Sequence, residues 1–92
     1  MSNSETSVEL RTFLLSLASN AMLHLGAIPD PETNEPNVNL PLARHTIDIL
    51  TMLNSKMAGN LSSEEEELFE NLLYDLRLRF IEKSQASDTE SA

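Results

Sequence analysis

Apolar positions along the chain fall into three runs with helical spacing, separated by segments rich in proline, glycine and asparagine. In the first run Leu10, Phe13, Leu14, Leu17, Ala18, Ala21 and Leu25 recur at three- and four-residue steps, the period of a helix with one packed face. Val8, Leu15 and Met22 make a second stripe at steps of seven. A helix is expected from about Ser7 to Leu25. Thr6 and Glu9 would form a capping box at its start, and Gly26 would end it in a left-handed conformation. The second run, about Leu40 to Ala58, places Leu42, Ala43, Ile47, Ile49, Leu50, Leu53 and Met57 on a wide apolar arc. Asn39 caps it and Pro41 sits in its first turn, where a missing N–H costs nothing. The third run spans about Ser63 to Lys83, opened by a capping box of Ser62 and Glu65. Leu68, Phe69, Leu72, Leu73, Leu76 and Phe80 form its core stripe, and Tyr74, Leu78 and Ile81 a second stripe on another face.

The connections carry their own signals. Between the first two helices the chain reads AIPDPETNEPNV. Its three prolines forbid a continuous helix, and Thr33-Asn34 suits a turn. Because this segment exceeds the ~2–8 residues usual in bundles, it is expected to be an ordered loop that crosses the bundle. A partner-binding strap is the competing reading. Gly59-Asn60-Leu61 is short enough to make helices two and three an antiparallel hairpin. Gly59 should be left-handed, Asn60 should tie the turn through its side chain, and Leu61 should tuck between the helix ends. A β-branched residue at Gly59 would strain the turn and misdirect the third helix. Residues 1–6 and the small, acidic stretch 84–92 are expected to be disordered flanks of one helical domain, 7–83.

Composition narrows the class of protein. Fifteen acidic against six basic residues give a net charge of −9, a field that repels phosphate backbones and anionic membranes. No nucleic-acid or membrane partner is therefore expected. The absence of cysteine removes disulfide scaffolds, thiolate metal sites and cysteine nucleophiles. No apolar run approaches the ~18 residues of a membrane span. Met1 to Ser7 lacks the charge and apolar core of a secretory signal, so a cytoplasmic protein is expected.

Candidate chemistry is sparse. Glu64, Glu65, Glu66 and Glu67 lack the alternating oxygen ligands of a calcium loop and suit the first turn of a helix, whose dipole they complement. Arg77, Arg79 and Lys83 would complement its other end. His24 falls in the main stripe of helix one and is read as capping or partly buried, while His45 lies on a polar side of helix two. Neither belongs to a metal-binding spacing. No GxSxG elbow or glycine-rich phosphate loop is present, so no cofactor or metal is expected. The residues with most potential are Arg44 and Asp48 on helix two with Asp75 and Arg77 on helix three. Arg44–Asp48 and Asp75–Arg79 are spaced for intrahelical pairs. A hairpin could bring these charges together into a polar pocket for a small anion, or leave them as salt bridges and solvated faces. Lys56 and Asn60 could join such a cluster at the opposite end.

Several blocks together are distinctive: Leu25-Gly26 with the prolines after it, Ala43-Arg44-x-x-Ile47-Asp48, Met52-Leu53-x-x-Lys56, Gly59-Asn60-Leu61-Ser62 with Glu65, and Asp75-Leu76-Arg77. In these the chain resembles the small bacterial family catalogued as domain of unknown function 1844, over about Phe13 to Phe80. Met57 stands where that family more often has threonine, and Asn34 where it usually has a loop glycine. The resemblance implies a small helical bacterial protein without assigned activity, and it transfers no functional residues.

These readings converge on an all-α, three-helix arrangement with an antiparallel hairpin of helices two and three, completed by homodimerisation. A lone bundle would leave Val8, Leu15, Met22, Tyr74, Leu78 and Ile81 partly in water, and these form the candidate interface. The expected role is a non-enzymatic interaction or regulatory module. The alternative is an anion-binding protein or minor enzyme built on the Arg44, Asp48, Asp75 and Arg77 cluster.

Overall fold

A computed structural model describes residues 9–91, with side-chain surroundings for 9–86. The described residues form α1 (Leu10–His24), α2 (Leu40–Lys56) and α3 (Ser63–Ser91), with no strand among them. All three helices pack on one another, α1 more extensively on α2 than on α3. Their shared core is Leu14, Ala18, Ala21 and Leu25 against Ala43, Ile47 and Leu50 and against Phe69, Leu73 and Leu76. The three alanines among these let neighbouring helix backbones approach closely. Thr46 is also buried, its hydroxyl donating to the Leu42 carbonyl at 3.2 Å, so its polarity is satisfied within its own helix.

The helix ends follow local chemistry. Asn39 Oδ1 accepts from the Leu42 N–H at 3.1 Å, and Pro41 lies in the first turn. Ser62 Oγ accepts from the Glu65 N–H at 3.1 Å while Glu65 Oε1 accepts from the Ser62 N–H at 2.9 Å, a complete capping box. At the end of α1 the Ala27 N–H reaches the Met22 carbonyl and the Gly26 N–H reaches that of Leu23, with Gly26 at φ +77°. That pair of bonds is a Schellman motif.

Several expectations are corrected. α1 begins at Leu10 rather than Ser7. Its N-cap Glu9 makes no side-chain capping bond, and Thr6, with the rest of residues 1–8, lies outside the described residues. α2 ends at Lys56, two residues before the expected Ala58, because the chain already turns at Met57. The Met57–Asn60 turn is closed by the main-chain N–H of Asn60 donating to the Met57 carbonyl, rather than by the asparagine side chain. Gly59 within it has φ +89°, and Leu61 packs against the core. α3 continues eight residues beyond Lys83 to Ser91, since Gln85 and Ala86 favour helix and no glycine or proline interrupts. Arg77, Arg79 and Lys83 are consequently mid-helix residues, and they do not sit at a C-terminal dipole.

The proline-rich segment does not cross the bundle. The Asn39 N–H donates to the His24 carbonyl at 2.7 Å, which pins the end of α1 to the start of α2. The intervening residues form a closed loop around Asp30. Its N–H donates to Glu35, its carbonyl accepts from Asn34, and its carboxylate accepts from the Glu32 N–H at 2.8 Å and the Asn37 amide at 3.2 Å. Asn34 holds φ +61°, a region that asparagine tolerates better than most side-chain-bearing residues.

Candidate functional site

The packing of α2 beside α3 leaves a line of three adjoining hollows along their seam, together called the groove. At one end it is lined by Leu40, Pro41, Arg44, His45, Asp48, Phe80 and Ser84. Its middle, about 240 Å³, is lined by Arg44, Ile47, Asp48, Arg77, Phe80 and Ile81. The other end is bounded by Asn54, Glu70, Leu73, Tyr74, Arg77, Leu78 and Ile81. Adjacent hollows share lining residues, and the line of them spans about 20 Å, the rise of α2 from Leu40 to Asn54.

Three of the four residues expected to form a polar cluster meet here. Arg44, Asp48 and Arg77 line the middle of the groove, whereas Asp75 does not. Residues two apart on a helix point ~200° apart, so Asp75 and Arg77 cannot share one face. Asp75 instead engages Arg79, whose Nε lies 3.2 Å from both carboxylate oxygens. Arg44 Nε is 3.9 Å from Asp48 Oδ2, with both side chains largely exposed, a separation and exposure at which an ion pair adds little stability.

Arg77 crosses the seam. Its Nη2 donates to Thr51 Oγ1 at 2.8 Å, and the same hydroxyl donates to the Ile47 carbonyl at 2.9 Å. With its proton committed to Ile47, the Thr51 oxygen is left as an acceptor, and this orients the guanidinium. Thr51 belongs to no recognisable motif. Its signal is the spacing Arg44, Asp48, Thr51, which repeats at four and three along one side of α2. Lys56 and Asn60 line none of these three groove segments.

The candidate interface residues separate into groups. Tyr74, Leu78 and Ile81 line one end of the groove and are 72%, 43% and 51% exposed. Leu15 is exposed on α1 and lines none of the groove segments. Met22, expected at the interface, instead packs against the core, because α1 is turned to bring that side toward its neighbours. Conversely Phe13 and Leu42, expected inside, are exposed. Val8 lies outside the described residues. His24 is half-buried and His45 exposed.

Among the described residues no group of three or more histidine, aspartate or glutamate side chains is placed to hold a metal. No helix there is long and apolar enough to cross a membrane. No curated protein and no solved structure matches the chain. A family model does match, over residues 7–82 and therefore across all of α1 and α2 and most of α3. By that match the chain belongs to the family described as domain of unknown function DUF1844.

Proposed function

We propose that the protein is a non-enzymatic interaction module that forms a homodimer through the outer side of α3 and the adjoining groove. The observation that carries this reading is the exposed stripe Tyr74, Leu78 and Ile81. Its four- and three-residue spacing keeps the three side chains on one face over two turns, turned away from Phe69 and Leu76, which are fully buried. Contiguous apolar surface of this kind marks association sites. A standard interface removes about 800 Å² per partner, more than three side chains supply, so the α2 side of the groove joins the contact. A two-fold axis between copies of α3 makes the interface self-complementary.

The sharing of one groove end by Leu40 and Ser84, and of the other by Asn54 and Glu70, supports an antiparallel α2–α3 hairpin. A non-enzymatic role is favoured by the openness of the groove. Its charged side chains stand in high dielectric, where they stabilise developing charge weakly. A cysteine-free, acidic chain suits a reducing cytoplasmic setting and disfavours nucleic-acid partners.

The lack of cysteine in the native chain makes the test clean. Leu78→Cys introduces a unique thiol near the proposed two-fold axis, and oxidation should yield a disulfide-linked dimer in high yield. Leu15→Cys on α1 should not. Cross-linking through Leu15→Cys alone would place the interface on α1 and overturn the assignment.

A further inference from the structure

Beyond self-association, we infer that the middle of the α2–α3 groove is a binding site for a small apolar carboxylate. The chain has six basic side chains against fifteen acidic ones, yet two arginines from different helices line the same 240 Å³ of groove. They border an apolar floor made by buried Ile47, half-buried Phe80 and the adjacent Ile81. A guanidinium carries five N–H donors in a planar fork. Arg77 spends one on Thr51, a bond that orients the group without occupying it. Arg44 lies at the long separation of 3.9 Å from Asp48. Arg79 is the contrast, because it lines no part of this groove and faces Asp75 on its own helix. Donors are thus available where the apolar floor is, and a carboxylate matches their geometry.

The remaining features define the ligand. The apolar floor is only three side chains, Ile47, Phe80 and Ile81, which matches the apolar body of a short chain or single ring. Asp48 beside Arg44 makes the site singly positive, which suits a monoanion and opposes a dianion. Inorganic phosphate, which carries between one and two charges near neutral pH and has no apolar part to place on the floor, should therefore bind poorly. All six lining residues belong to one protomer; two of them, Arg77 and Ile81, also line the end of the groove used for self-association, so bound octanoate and a second copy of the chain should weaken one another.

The test is an NMR titration of the full chain, following backbone amides, with octanoate, octanol and inorganic phosphate as probes. Octanoate should shift Arg44, Arg77, Phe80 and Ile81 saturably, with octanol and phosphate each at least about tenfold weaker, the ratio expected from one charge-assisted bidentate contact. Arg77→Gln should weaken octanoate about tenfold, while Arg79→Gln should leave it unchanged. Asp48→Asn should strengthen it several-fold by removing the competing carboxylate. Should Arg77→Gln fail to fold, Arg44→Gln and Asp48→Asn, both at exposed positions, carry the comparison with opposite expected signs. Equal binding of octanol and octanoate, phosphate binding as well as octanoate, or weakening by Asp48→Asn would each overturn the site. The dimer is judged separately by molecular mass, so failure of one proposal leaves the other standing.

Discussion

Gly26 and Gly59 carry φ of +77° and +89°, yet an added side chain would meet different surroundings at each. A Cβ on Gly59 meets nothing within 4 Å, so Gly59→Ala costs only the left-handed backbone, about 1 kcal/mol. A Cβ on Gly26 would lie 2.7 Å from Val38 Cγ2, so the loop must shift as well, and Gly26→Ala should cost about 2–4 kcal/mol. Urea denaturation of the two variants checks the order. Equal losses would mean that the loop around Val38 yields freely. Asp30 offers a second test at this scale. The Glu32 N–H and then the Asn37 amide hold its carboxyl below the ordinary 3.8, against a smaller opposing effect of desolvation. A depressed folded-state pKa means that the ionised form stabilises the loop above the unfolded value. That contribution is lost as pH falls below about 3.8 toward the folded pKa. Asp30→Asn should therefore speed hydrogen exchange of the Glu32 and Asn34 amides at pH 6 and make little difference at pH 2. A difference of the same size at both would contradict the assignment.

Among the elements, what was readable came from chemistry that acts within a few residues. Ser62 and Glu65 specify their reciprocal bonds without reference to the rest of the fold, as do Asn39 with Leu42 and Gly26 with Leu23. Ser62→Ala should lower stability by about 1 kcal/mol, whereas Glu65→Gln, which keeps an acceptor at the same position, should be nearly neutral in thermal melting. Equal losses would show that charge, rather than the hydrogen-bonded box, matters at this terminus. The rotation of each helix about its axis was less readable. Phe13 and Met22 lie on adjoining apolar stripes of α1, and only the positions of α2 and α3 decide that Met22 is covered and Phe13 exposed. The end of α3 is unmarked in the sequence for another reason. The residues after Lys83 are polar but compatible with helix, and polarity alone does not stop one. The length of the loop before α2 suggests distance to be spanned, but the Asn39–His24 bond closes it on itself.

At the level of the whole molecule, the candidate site depends on how two helices meet, and that is where sequence spacing loses force. Arg44 and Asp48 could be placed together because they share a helix. Their meeting with Arg77, and the exclusion of Asp75, follow from the α2–α3 packing and from the 100° step between residues. The stripe of Tyr74, Leu78 and Ile81 was visible as a pattern, and its exposure on the structure gives the self-association proposal its physical content. Two protomers of charge −9 repel, and salt screens that repulsion over ~8–10 Å at physiological strength. The dimer should accordingly tighten as salt rises from 20 to about 300 mM, opposite to an interface held by salt bridges. Tyr74→Glu with Ile81→Glu should dissociate it while leaving helix content unchanged. The most direct measurement is molar mass by light scattering at tens of micromolar and about 150 mM salt. Twice the 10.3 kDa chain mass is the expected result, falling to a single chain mass for the double variant. A native protein that scatters as a 10.3 kDa monomer under those conditions would contradict the proposal.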